Sequence, residues 1–255
     1  MRHLLVACAS ALVLSSAAFM AAGAAPKAPA YVAHALADKG RPEADTKLDE
    51  ARKPGELLAF SGLKPGDKIA DIMPGRGYFS RLFADVVGPK GHVFLWVPKE
   101  QDAISKGTAL QGANAFAATF KNVSVVSAPI NDFSTPEKLD MAWLTLNYHD
   151  WHDPFMGPAD IAKVNKAVFN SLKPGGVFFV VDHVAEAGSG ARDTDTLHRI
   201  DPALVKKEVE AAGFKLEAVS DVLRNPEDDH TKKVFDASIR RHTDQFVFKF
   251  RKPRR

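Results

Sequence analysis

From about residue 55 onward, short apolar runs alternate with stretches of helical periodicity. The runs at 68–72, 92–97, 123–126, 139–146 and 177–181 are compact, mostly apolar and bounded by turn residues, so they predict buried strands. Between them lie predicted helices at 56–60, from Phe79 to Val87, at 103–119, at 161–172 and at 202–212. In the fourth of these helices Ile161, Val164, Val168 and Leu172 fall on one face. Gly62, Pro65-Gly66 and Gly88-Pro89 supply stops. A sixth strand is expected at 214–222 and an alternating seventh at 245–251, separated by a polar, charged excursion over 225–243. Continuous apolar strands alternating with helices imply a parallel sheet covered on both faces. The expectation is an α/β fold: a single doubly wound, mostly parallel seven-stranded sheet with an antiparallel edge. Ligands of such sheets bind beyond the carboxyl ends of the strands.

The N-terminus breaks this pattern. Met1-Arg2-His3 precedes an apolar run to Ala22, and Ala22-Gly23-Ala24 offers a small-residue cleavage site. These are the marks of a secretory signal peptide over residues 1–24. Residues 25–54, rich in alanine, proline and charge, read as an extended or loosely helical lead-in to a domain spanning 55–255. Cleavage would remove Cys8, the only cysteine, which excludes thiol catalysis and cysteine-bound zinc in the mature chain. The protein is thus expected to be exported, to the bacterial periplasm or beyond, with no stable membrane insertion once the signal is lost.

Charge changes the picture little. Thirty-four Lys and Arg against 31 Asp and Glu leave a net charge of +3, and the one dense basic cluster is the C-terminal tail from Lys249 to Arg255. No nucleic-acid partner is expected from that balance. The partner implied is a small-molecule substrate; the oligomeric state is not legible.

Three separated segments resemble the class I S-adenosylmethionine-dependent methyltransferases, and more narrowly an exported group of predicted ones. Leu63 to Ser80, with Asp71-Ile72-Met73-Pro74-Gly75-Arg76-Gly77 at its centre, is similar to the family's first motif. Leu172-Lys173-Pro174-Gly175-Gly176-Val177 and Ala211-Ala212-Gly213-Phe214 resemble the turns before its fifth and sixth strands. The narrower likeness rests on Asn147-Tyr148-His149-Asp150, on Thr196-Leu197-His198-Arg199-Ile200-Asp201 and on Asn225-Pro226. The resemblance implies a Rossmann-like methyltransferase fold and S-adenosylmethionine as cofactor. Asp71, Gly75, Gly77, Glu100, Asp132 and Asn147 would contact it. Gly75 and Gly77 would allow close backbone approach at a helix start, and Asp71 would meet the cofactor's amino group or hold the loop. The chain departs from the family where Met73 replaces the first glycine, followed by Pro74. It departs again where Val97 or Pro98 stands in place of the ribose-binding acid after strand two, and at Pro129 after strand three.

Histidines supply the remaining chemistry. His149 and His152 follow strand four, His183 ends strand five, and His198 opens the next helix. A neutral imidazole at the methyl-transfer centre would take a proton from an acceptor hydroxyl. His149 is expected to be that base, with Asp150 orienting it and His183 beside it. His152, His198 and Arg199 would line the substrate side, Arg199 being suited to a carboxylate or phosphate. The same residues admit a second chemistry, in which His149, His152 and His183, with Asp153, hold zinc or another transition metal. The leading expectation is methylation of a small molecule, at oxygen. The alternatives are an exported metal-dependent enzyme, or a small-ligand binding protein that has kept the fold and lost the cofactor.

Overall fold

Seven strands make one sheet in the protein, whose computed structural model describes residues 28–157 and 159–254. They are β1 (Lys68–Ile72), β2 (His92–Pro98), β3 (Val123–Ala128), β4 (Leu139–Thr145), β5 (Leu172–His183), β6 (Lys215–Ser220) and β7 (Gln245–Arg251), in the order β3-β2-β1-β4-β5-β7-β6. The first five are parallel, and β7 runs antiparallel between β5 and β6. The order reverses between β1 and β4, which opens a crevice at their carboxyl ends.

Alternate strand residues feed two cores. Ile72, Phe94, Trp96, Leu144, Phe178 and Phe250 face one layer, while Ile69, Leu95, Trp143, Phe179 and Val247 face the other. Helices α1 (Ala30–Leu36), α4 (Pro54–Ser61), α5 (Tyr78–Val87) and α7 (Thr108–Ala117) belong with the second core. Helices α8 (Ile161–Ser171) and α10 (Pro202–Ala211) cover the first. Trp143, fully buried, packs against Phe79, Phe83 and Phe179 with ring centroids 4.1–5.3 Å away. That packing makes it a structural anchor of β4.

Two expectations change, and a third is decided. The lead-in takes the helical of its two expected forms: α1, α2 (Glu43–Thr46) and α3 (Asp49–Arg52) precede α4. Val32 and Ala35 of α1 are buried in the core beside α5, and Asp49 receives both Arg41 and the Tyr78 hydroxyl. The helix expected at 103–119 is two, α6 (Lys99–Ile104) and α7, broken where Lys106 and Gly107 adopt left-handed φ of 54° and 84°. Strand β5 starts early because Leu172 pairs with Leu139 before an irregularity, and regular pairing resumes at Val177. The signal-peptide expectation lies outside the described residues. Among the described residues no helix is long and apolar enough to cross a membrane.

Candidate functional site

Two cavities at the carboxyl edge of the sheet bear on the expected site. The first follows β1. Met73, Gly75 and Gly77 take left-handed φ of 57°, 58° and 82°, and this winds the chain from strand to helix. Glycine takes that conformation freely, and Met73 takes it under strain. A Cβ on Gly77 would stand 2.6 Å from the Phe116 ring, so this position has no room for a side chain. Helix α5 begins at this turn and points its N-terminus at the cavity, an arrangement that favours negative groups. The cavity, of about 500 Å³, is lined by Pro74, Gly75, Arg76, Val97, Gln101 and the start of α7.

Of the residues expected there, Gly75 lines the cavity and Asp71 lies beneath the turn. Asp71 is buried and accepts a 2.5 Å hydrogen bond from Ser80 at the head of α5. Burial pushes its carboxyl up to about 7, against the opposing pull of the Ser80 bond and of Arg52. It holds the loop, the second of its two expected roles. Glu100 and Asp132 are placed otherwise than expected. Glu100 accepts the Ile130 amide at 2.9 Å and ties α6 to the loop after β3. Asp132 is exposed and faces Lys163 of α8. The residue sequence reasoning missed is Gln101, whose buried Oε1 has no hydrogen-bond partner. Its only signal was its position just after β2, beside the carboxylate chosen instead.

The second cavity, of about 310 Å³, sits over β4, β5 and β7. Its floor includes Thr145, His183 and Gln245, and its roof is made by α3 and by the excursion over 225–243 through Phe235, Arg240 and Arg241. Arg52 joins them, stacked 4.6 Å from the Tyr78 ring centroid. Three guanidinium groups without an ion pair among the described residues suit an anionic ligand. None was singled out from sequence, because Arg240-Arg241 reads there as one more charged surface stretch. His183 donates or accepts at Nδ1 with the Thr243 hydroxyl, 2.8 Å away, and its Nε2 has no hydrogen-bond partner among the described residues. Burial holds its imidazole down at about 3, with His149 and Arg199 acting in the same direction, so it is neutral.

Behind His183 the loop after β4 turns tightly through His149–His152. His149 bonds through Nδ1 to Asp182 at 2.8 Å, and its own amide N–H donates to the same carboxylate at 2.9 Å. Its Nε2 lies 3.3 Å from His198 Nδ1 and 3.3 Å from Asp150 Oδ1. Asn147 donates to the other Asp150 oxygen at 2.7 Å. Burial alone would lower the His149 pKa, but Asp182 and Asp150 together hold it up at about 10. The closer contact that orients the His149 ring is thus Asp182, with Asp150 at the longer distance.

His149, Asp150, His183 and His198 thus come together; Asn147, expected at the cofactor, joins them through Asp150, and His152 and Arg199 stand apart. His152 Nε2 faces Glu208 of α10 at 3.2 Å, on the other side of the loop. A metal site joining His149, His152 and His183 is accordingly not assembled. Arg199 is fully buried, forked onto Asp228 at 2.9–3.0 Å and bonded to Val184 O and Lys232 O. It fastens the excursion to the sheet and offers nothing to a ligand.

Comparison with known proteins identifies the architecture. No protein-family model matches the sequence, and no curated protein matches it. Among solved structures, a SAM-dependent methyltransferase from Aquifex aeolicus superposes with a TM-score of 0.53 at 18% identity, covering 84% of this chain and 100% of that one. An S-adenosylmethionine-dependent methyltransferase from Mesorhizobium loti gives 0.53 at 17% identity, over 80% and 99% of the two chains. One from Clostridium acetobutylicum gives 0.51 at 14% identity, over 82% and 92%. The fold is that of the S-adenosylmethionine-dependent methyltransferases.

Proposed function

We propose that the protein is an S-adenosylmethionine-dependent methyltransferase that methylates an oxygen of a small anionic molecule. We further propose that it acts outside the cytoplasm after losing residues 1–24. The observation that carries the reading is the cavity beyond the ends of β1 and β2, floored by a left-handed glycine turn and walled by Gln101, whose buried Oε1 has no hydrogen-bond partner among the described residues.

The residues present fit the cofactor. Gly75 leaves open space where a side chain would stand, so backbone groups of the turn are reachable. Buried orphan acceptors are rare and call for a partner, and Gln101 would receive a ribose hydroxyl, Glu100 being engaged with the Ile130 amide. S-adenosylmethionine, when bound, supplies the methyl group. The second cavity holds the acceptor. Arg52, Arg240 and Arg241 bind its negative charge, the roof excludes water, and neutral His183 accepts the hydrogen bond of the hydroxyl through Nε2.

The test is calorimetric titration of the full chain with S-adenosylmethionine and S-adenosylhomocysteine. One-to-one micromolar binding is expected, weakened up to about tenfold by Gln101→Ala through loss of one hydrogen bond. No binding at millimolar cofactor would overturn the reading. Binding without methyl transfer to any acidic hydroxyl compound would leave a small-ligand binding protein.

A further inference from the structure

We propose that His149, Asp150 and His198 form a site for a divalent transition-metal ion with an open coordination position. The three donor atoms, His149 Nε2, Asp150 Oδ1 and His198 Nδ1, all lie within 4.8 Å of one another. Two of the three separations are 3.3 Å. A tetrahedral ion bonded at 2.0–2.1 Å to nitrogen and oxygen spaces its donors by about 3.3 Å, so the spacing is that of a coordination edge.

Each donor is aimed by a further partner. Asp182 accepts the Nδ1–H of His149, so an ion that displaces the Nε2 proton meets a ring already held with Nδ1 protonated and Nε2 aimed at it. Asn147 holds Asp150 Oδ2 at 2.7 Å, which leaves Oδ1 turned toward His149. His198 sits at the end of α9 (Thr194–Leu197) with a left-handed φ of 55°, a conformation costly for a residue with a Cβ, and its ring meets the edge of Phe235. Strain of that kind persists only where the surroundings impose it.

Asp153 follows on the same turn, its amide N–H donating to Asp150 O at 3.0 Å. It is a second buried acid beside the three donors and outside their set, its charge eased by Thr194 and His149. Two imidazoles and carboxylate suit zinc, cobalt or nickel rather than magnesium or calcium. With three protein donors, a fourth position remains for water or substrate. Phe235, which touches the His198 ring, also belongs to the wall of the arginine-lined cavity, so that position opens beside it.

The experiment uses the full chain, stripped with chelator and titrated with Co²⁺ by visible absorption, with Zn²⁺ in competition. One equivalent with intense tetrahedral bands is expected, and His198→Gln and Asp150→Asn should each weaken uptake at least about tenfold. His152→Gln, whose side chain faces Glu208, should leave uptake unchanged. Absence of bands at millimolar Co²⁺, uptake indifferent to His198→Gln and Asp150→Asn, or equal loss in His152→Gln would overturn the site. Titrating the same metal-free sample with S-adenosylmethionine keeps this outcome separate from that of the methyltransferase reading, since either ligand can bind where the other fails.

Discussion

The two halves of the carboxyl edge are built by different means. Around β1 and β2 the cavity is shaped by backbone: three left-handed residues within five positions, a helix start and a glycine pressed against Phe116. Around β4, β5 and β7 it is shaped by side chains that meet across long stretches of sequence. Asp182 meets His149 across 33 residues, His149 meets His198 across 49, and His183 meets Thr243 across 60. A backbone-built site is a local property of sequence, and glycine spacing shows it. A side-chain-built site depends on the sheet already being folded, and it can change its chemistry by exchanging single partners. The first half is accordingly suited to an invariant ligand, and the second to whatever substrate or ion the chain has come to handle.

The largest expected effect tests whether the halves are separable. Arg199→Met leaves the Asp228 carboxylate, 4% exposed, with only backbone amides of His230 and Asp244. Removing one partner of such a pair costs about 3–5 kcal/mol. Urea unfolding should show that loss, and the folded fraction should still bind S-adenosylmethionine as tightly as the parent. If cofactor binding fell in proportion, the excursion would be part of the cofactor site and the division would be wrong. Arg199 also shows why sequence misassigned it. An arginine after a histidine at a cleft reads as a ligand group, and nothing local reveals a carboxylate 29 residues later that claims it.

A smaller loss is expected on the backbone-built side. Gly77→Ala sets a methyl 2.6 Å from Phe116 at a φ of 82°. Overpacking of this kind costs about 1–3 kcal/mol and the left-handed conformation about 1–2 more. Phe116→Ala in the same chain should return the steric part but not the conformational part. Cofactor affinity should drop with Gly77→Ala while Co²⁺ uptake is untouched, which would sharpen the contrast. Equal damage to both would show the turn to be a scaffold for the whole edge.

What was legible follows the same line. All seven strands and the antiparallel edge could be read because continuous apolar runs and glycine turns are local signals. The turn at Met73–Gly77 was legible for that reason, and the convergence of His149, His183 and His198 followed from topology alone. The pairings were not. His149 was given to its neighbour Asp150, although Asp182, one strand over, supplies the closer contact and the tautomer. Glu100 and Asp132 were chosen as the available carboxylates, while the cavity is lined by Gln101, whose buried Oε1 has no hydrogen-bond partner among the described residues. The lead-in could not be settled between extended and loosely helical because its helices are four to seven residues long and gain stability from packing on α5, which periodicity does not register.

The finest distinction between the halves is in their response to pH, and Asp71 isolates it. Its folded carboxyl titrates near 7 against 3.8 when unfolded, so between those values the folded protein holds a proton that the unfolded chain has released. Stability therefore falls as pH rises from about 4 to 7, by at most about 1.4 kcal/mol per unit, and is level above. Asp71→Asn removes that slope while keeping an oxygen for Ser80. Relative to the parent, the variant should gain stability as pH rises from 5 to 7. Urea midpoints at a series of pH values measure the difference. A parallel pair of curves would mean that Asp71 stays ionised, its charge held by Arg52 across the edge, and the two halves would then be coupled through that one electrostatic contact.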